Sequence, residues 1–247
     1  IVFKGSPPPN MRPMLFFHSA QERRPSMQVV GISGSPIQEG KTDRLVKEVL
    51  KSTRLETEFI KLSEYHLEPC RACLACTTEN VCVIQDDWGE IIEKVKNAPA
   101  LLIGGWASFG MLDARTKTFF ERLYCLRHND WKTRGKIAGA VVVGADPNVA
   151  ESLANNLLDI FKGFGMFPAG KLTALGSAPC LSCQNSQDCF YSAAISLHGK
   201  TARVGESMFA PVDQQIIGLR PKIRVLADSI AFRVEKITAM NRQTARA

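Results

Sequence analysis

No stretch of this chain approaches the roughly 18 consecutive apolar residues of a membrane span. The best apolar run near the start, Met14-Leu15-Phe16-Phe17, is too short for a secretory h-region. Neither membrane insertion nor export is therefore expected, and the expected location is the cytoplasm. Histidine is scarce. His18, His66, His128 and His198 are scattered and suggest no catalytic triad. No dense Lys/Arg block, zinc-finger pattern or RNA-binding motif is present, so nucleic acid is not the expected partner. The net charge of +7, from 31 basic and 24 acidic residues, lies largely toward the two ends. It reads as solvated surface with some attraction for anionic cofactors. The dinucleotide pattern G-x-G-x-x-G is absent, which disfavours a direct NAD Rossmann site. No internal repeat is visible beyond a partial likeness between two cysteine groups.

What remains is an ordinary globular composition, 45% hydrophobic and 22% charged over 247 residues. That length supports one sizeable core or two small ones. Residues 1–27 read as an N-terminal extension, because Ser6-Pro7-Pro8-Pro9 and Arg23-Arg24-Pro25 suit no regular element. Met27 directly precedes the first strand and is a candidate translation start. From Gln28 the pattern is regular. Strands are expected at Val29–Ser33, Glu58–Leu62, Ala98–Ile103, Ile137–Val143 and Met166–Leu175. Helices are expected at Lys41–Lys51, from Asp87 onward, at Thr116–Leu126, at Val149–Phe164 and at Gln214–Met240, with Pro221 limiting or bending the last. Asp87 with Glu90 resembles a capping box. The strands are apolar runs rather than alternating ones, the mark of a parallel sheet covered on both faces. The expected fold is therefore α/β: a flavodoxin-like doubly wound sheet of five parallel strands in the order 2-1-3-4-5, with helices on both faces. Ligand binds at the carboxyl ends of such strands. Cysteine-rich insertions and a C-terminal helical extension complete the expectation. The domain reading is 28–200 for the sheet domain and 201–247 for the extension.

The first strand runs into Ser33-Gly34-Ser35-Pro36-Ile37-Gln38-Glu39-Gly40-Lys41-Thr42 and then a helix. Glycines and small hydroxyl residues at such a turn suit a phosphate, which meets backbone N–H groups, hydroxyls and the helix N-terminus. Two readings compete. A P-loop, G-x-x-x-x-G-K-[ST], fails by one position, since five residues separate Gly34 from Gly40. A mononucleotide loop for FMN is the other. A tight turn without ligand is the plain alternative.

Seven of the eight cysteines fall in two groups. Without an export signal, clustered thiols more often hold metal than disulfides. Cys70, Cys73, Cys76 and Cys82 have the spacing to wrap one 4Fe-4S cluster. A zinc site or a site that holds no cluster stays open. Cys180, Cys183 and Cys189 form the second group, with Cys125, Asp188, His198 or a partner subunit as a fourth ligand. A second cluster or metal competes there with buried or redox-active thiols. Cys125 alone reads as a core cysteine.

Gly31-Ile32-Ser33-Gly34-Ser35-Pro36 followed by Thr42 resembles the NAD(P)H-dependent FMN reductase and iron-sulfur flavoprotein family. The likeness covers roughly Met27 to Leu175 and includes the compact cysteine motif, the following Val83-Ile84-Gln85-Asp86-Asp87 run, and Lys117, Phe119, Phe120, Glu121 and Arg122. It implies that Ser33, Ser35, Pro36, Gln38, Lys41 and Thr42 surround an FMN phosphate. Ile37 replaces a common family arginine, with Lys41 supplying the charge. It further implies that Trp106, Ala107, Ser108, Phe109 and Gly110 hold the flavin ring edge, although Trp106-Ala107-Ser108 departs from the family's Pro-Val-Tyr core. It also implies that the loop Gly144-Ala145-Asp146 approaches the flavin from the next strand.

The implied function is an FMN- and 4Fe-4S-containing oxidoreductase that passes electrons between NAD(P)H or ferredoxin and an unknown acceptor. No general acid or base is obligatory for that chemistry. A homodimer or homotetramer is expected, with ferredoxin or another redox protein as a candidate partner. The alternatives are a cluster-free NAD(P)H-dependent FMN or quinone reductase and a non-enzymatic electron carrier. A P-loop NTPase is a more distant one.

Overall fold

The computed structural model describes residues 28–176 and 212–244, with residues 183, 185, 188–192, 195 and 199 between them. The expected extension at 1–27, Cys180 and His198 lie outside the described residues. The elements are β1 (Gln28–Ser33), α1 (Lys41–Thr53), β2 (Glu56–Lys61), α2 (Trp88–Asn97), β3 (Ala100–Ser108), β4 (Met111–Leu112), α3 (Ala114–Leu123), β5 (Ile137–Gly144), α4 (Pro147–Gly163), β6 (Phe167–Leu175) and α5 (Val212–Thr244). Single 3₁₀ turns follow β2 and α3.

Five strands run parallel in the order β2-β1-β3-β5-β6, and β4 pairs antiparallel with the end of β3. Counted along the parallel strands this is the expected 2-1-3-4-5 order. The central strands are apolar on both sides because both sides are covered. Leu101 and Ile103 of β3, with Ala138, Ala140 and Val142 of β5, face a core closed by α2, α3 and α4. Ala100 and Leu102, with Ile137, Val141 and Val143, face a second core closed by α1 and α5. Helix α5 reaches that core through Ile223, Leu226, Ala227, Ile230 and Val234. Pro221 stands inside α5 rather than at its start.

Helix α1 lies unusually close to the sheet. A Cβ on Gly31 would press into Leu50 and Val46, and one on Gly104 into Val46 and Thr42. That close approach sets the helix N-terminus directly above the carboxyl ends of β1 and β3.

Two local expectations differ from the structure. Asp87 flanks α2, but its carboxylate accepts the His66 N–H at 2.6 Å instead of closing a capping box. Glu90 turns outward to Tyr65 and Lys94, and Asp86 accepts the Trp88 N–H at 3.1 Å. A contact to the segment after β2 has outcompeted the local cap. Strand β3 also extends past Ile103 to Ser108, so Trp106-Ala107-Ser108 is strand and not loop. Phe109 and Gly110 make the two-residue turn into β4, at φ of 48° and 79°. Positive φ at both positions is what a type I′ hairpin turn demands.

Candidate functional site

The loops after β1, β3 and β5 leave the sheet at its carboxyl edge. The first is held from below. Lys61, at the end of β2, is 3% exposed and pairs with Asp43 of α1, 1% exposed, at 2.5 Å. Lys61 also donates to the carbonyls of Ser35 at 3.0 Å and Ile37 at 2.9 Å. Asp43 accepts the Ser33 hydroxyl at 2.6 Å. One buried ammonium thus pins two loop carbonyls downward, while Ser33 and Asp43 anchor the loop's start to α1. The cap position of α1 is Gly40, and no side chain caps it. A helix leaves its first N–H groups without intrahelical acceptors, so this end suits an anion. Ser35 and Thr42 are buried in the loop and first turn, whereas Pro36 and Gln38 are exposed. Lys41 donates to the Leu175 carbonyl at 3.2 Å, tying α1 to the end of β6. Burial lowers its pKa.

Asp113, 4% exposed, joins the first loop to the second. It caps α3 by accepting the Thr116 N–H at 2.9 Å, and its other oxygen accepts the Trp106 N–H at 3.0 Å and the Thr116 hydroxyl at 2.8 Å. Gly34 packs against this pair so tightly that any Cβ would collide with Thr116 and Asp113. The Trp106 amide is therefore engaged within the protein. Ala107 and Ser108 pair with β4 and are half-buried, and Phe109 and Gly110 are exposed at the tip. In the third loop Gly144 closes β5 and Ala145 is exposed. Asp146 caps α4, accepting the Asn148 N–H at 2.7 Å and the Val149 N–H at 3.3 Å. Its carboxylate serves its own helix.

Cys70, Cys73, Cys76 and Cys82 line one pocket on the loop between β2 and α2, together with Arg122, Tyr124 and Cys125 from α3 and the turn after it. All four are free thiols; Cys73 is exposed and the others half-buried. Ala72, Leu74 and Asn80 adopt φ of 50°, 59° and 55°, left-handed kinks that fold this loop upon itself. Burial raises the pKa of Cys76, and the other three thiols add to the effect. Burial pushes Cys125 up to about 11, so it stands as a neutral thiol in the pocket wall. Among the described residues, no three His, Cys, Asp or Glu side chains are drawn together around a single-ion position. Zinc needs its sulfurs about 2.3 Å from one centre. A cluster holds each cysteine on a separate iron and so needs them farther apart. Of the second group, Cys183 is exposed and Cys189 half-buried.

Sequence reasoning missed Lys61, Asp43 and Asp113 as organisers of these sites, and with them Asp86, whose carboxylate pairs with the buried Arg122 of the cysteine pocket. Signals exist for two. Asp113-x-x-Thr116 ahead of a helix is a cap pattern, and Lys61 ends a strand that is otherwise turning apolar.

A doubly wound α/β sheet with an uncapped helix over its first loop defines a mononucleotide-binding class of protein. Comparison with known proteins makes the class particular. The model of the NADPH-dependent FMN reductase family matches residues 27–179, and the chain belongs to that family of flavin-dependent oxidoreductases. It is 42% identical over 125 residues to the iron-sulfur flavoprotein MJ1083 of Methanocaldococcus jannaschii, covering 49% of this chain and 64% of that relative. The match thus spans less than two thirds of that relative. It is 30% identical over 154 residues to the iron-sulfur flavoprotein of Methanosarcina thermophila, covering 61% of this chain and 81% of the relative. The fold is shared with RosB, crystallised with a formylated riboflavin phosphate intermediate. There the TM-score is 0.61 at 14% identity, covering 90% of this chain and 87% of RosB.

Proposed function

We propose that the chain is an electron-transfer oxidoreductase that holds FMN at the carboxyl edge of its sheet and a 4Fe-4S cluster in the cysteine pocket. Electrons would pass between NAD(P)H or reduced ferredoxin and an acceptor. A homodimer or homotetramer is the proposed assembly. FMN exchanges electrons in pairs or singly and an iron-sulfur cluster singly, so the two cofactors together join two-electron to one-electron chemistry. The observation that carries the reading is the convergence of Cys70, Cys73, Cys76 and Cys82 on one pocket in a protein of the FMN reductase family. The names of the two relatives support it.

This chain's residues have defined tasks in that reading. Ser35, Thr42 and the first-turn amides of α1 receive the FMN phosphate. Lys61 holds the Ser35 and Ile37 carbonyls and pairs with Asp43, which would keep those carbonyls from an anion bound at the loop. Asp113 ties the backbone of Trp106 to the start of α3 and packs against Gly34, so it would hold the phosphate loop and the β3–β4 hairpin together beside a bound flavin. The four thiolates ligate iron.

The test is an absorption spectrum of protein purified without oxygen, with FMN, iron and sulfide counted per chain. Flavin bands with about four irons are expected for one cluster, and about eight would bring Cys180, Cys183 and Cys189 into the path. Flavin without iron after reconstitution would leave a plain FMN or quinone reductase. Absence of flavin would overturn the reading entirely. Changing Cys76→Ser removes the iron and leaves FMN bound; unchanged iron content would reject the ligand assignment. Changing Ser35→Glu puts bulk and negative charge against the phosphate, and flavin occupancy measured by absorption drops at least severalfold.

A further inference from the structure

The proposed function leaves one buried cation beside the cysteine pocket without a role. Arg122, on α3, has a side chain fully shut off from solvent. Its guanidinium forks onto Asp86. Nη1 donates to one carboxylate oxygen and, at 2.8 Å, to the Glu68 carbonyl, and Nη2 donates to the other carboxylate oxygen at 2.9 Å. The Trp88 ring lies 5.2 Å from the guanidinium carbon. These contacts occupy the two terminal nitrogens and one face. Nε–H, equally buried, has no hydrogen-bond partner among the described residues.

An unpaired buried N–H is costly, and on a charged group more so. Its position suggests what it awaits. Arg122 forms part of the wall of the pocket lined by the four cysteines. The Cys82 sulfur is near enough to the guanidinium to act on it both by charge and as a side-chain acceptor, although Nε–H is not aligned to it as a hydrogen bond. Burial opposes the charge, while Asp86 and Cys82 favour it, and the balance raises the guanidinium pKa. Asp86, for its part, also accepts the N–H groups of Glu68 at 2.8 Å and Trp88 at 3.1 Å. With its negative charge spread over four donors, it leaves part of the arginine's field directed at the pocket.

We propose that Arg122 is a positioning residue of the cluster site, its Nε–H donating to the Cys82 sulfur once iron is bound. The proposal rests on the reading of the pocket as a cluster site. One-electron reduction adds a negative charge to the cluster. A hydrogen bond to a ligating sulfur, backed by a buried cation, stabilises that more negative state and raises the potential. The same contact holds Cys82 against α3 and so fixes the last ligand of the motif.

The experiment begins with unaltered protein purified without oxygen. Iron and sulfide are counted first, and their absence would reject the cluster reading itself. Protein grown with ¹⁵N-labelled arginine is then reduced and studied by pulsed electron paramagnetic resonance. A ¹⁵N coupling to the reduced cluster is expected. It must survive in Arg71→Gln, since Arg71 also borders the pocket. No coupling, or its loss in that variant, overturns the proposal. The Arg122→Lys variant keeps the charge and removes Nε–H. With iron content retained, its reduction equilibrium should fall about tenfold, which is about 59 mV for one electron. An unchanged potential in an iron-loaded variant overturns the proposal. Should that variant fail to load iron or to fold, the labelling result on the unaltered chain still decides.

Discussion

Lys61 and Asp43 form an ion pair sealed from solvent beneath the loop that follows β1. Taking two charges out of water costs several kcal/mol per ion, and the pair holds only if the remaining donors and acceptors are also met. Here they are met by the Ser35 and Ile37 carbonyls on one side and the Ser33 hydroxyl on the other. Removing one partner strands the other. Changing Lys61→Met should therefore destabilise the chain by about 3–5 kcal/mol, measured by urea unfolding. Adding Asp43→Leu should recover much of that loss, because the uncompensated carboxylate is gone. FMN affinity, measured by fluorescence titration, should stay low in the double variant, since the two carbonyls have lost the group that turned them from the anion. Stability and affinity restored together would show that Lys61 acts on packing alone.

At the scale of elements, the loop after β5 is short because its helix begins at once. Pro147 opens α4 directly after the Asp146 cap, a preorganised start that uses proline's fixed φ and missing N–H. Changing Asp146→Ala should cost about 1 kcal/mol, read as a shift in unfolding midpoint, with FMN retained. A loss of flavin in the folded variant would give Asp146 the direct role that its family position implies. The same elements show what the sequence discloses. Apolar runs such as Leu101–Ile103 and Ile137–Val143 announce buried parallel strands, because covering both faces erases the alternation. The Cys70–Cys82 spacing announces a common pocket, because the cysteines lie close in sequence. Asp113 meeting Trp106 and Gly34, or Asp86 meeting Arg122, joins residues whose contacts exist only after the chain has folded. Local propensity also misplaced the end of β3. Glycines at 104 and 105 read as a strand terminus, yet Gly104 is there to admit α1 closely, and the strand continues through it.

The whole molecule has two edges with different work. The candidate site lies at the carboxyl edge, while Lys136 lies at the opposite one, just before β5. It is 9% exposed, and its ammonium donates to the Lys96 and Ala98 carbonyls at 2.8 and 2.6 Å. Among the described residues no carboxylate pairs with it, and burial pulls its pKa from 10.5 down to about 8. The unfolded chain therefore binds more protons than the folded one between those values, so this group's contribution to stability rises with pH across that window. The burial penalty is fully present below pH 8 and gone above 10.5, a span of about 3 kcal/mol. Cys125 works in the other sense. Its thiol, ordinarily near 9, is raised to about 11, so folding loses stability over that range. Comparison with Lys136→Met isolates the lysine. Between pH 7 and 10 the unfolding free energy of the unaltered chain should gain on that of the variant by about 2–3 kcal/mol. FMN content should stay equal in both, because the change is made at the edge away from the cofactor loops. A constant difference across this range would mean that the two carbonyls keep Lys136 charged in the fold, offsetting the burial that depresses it.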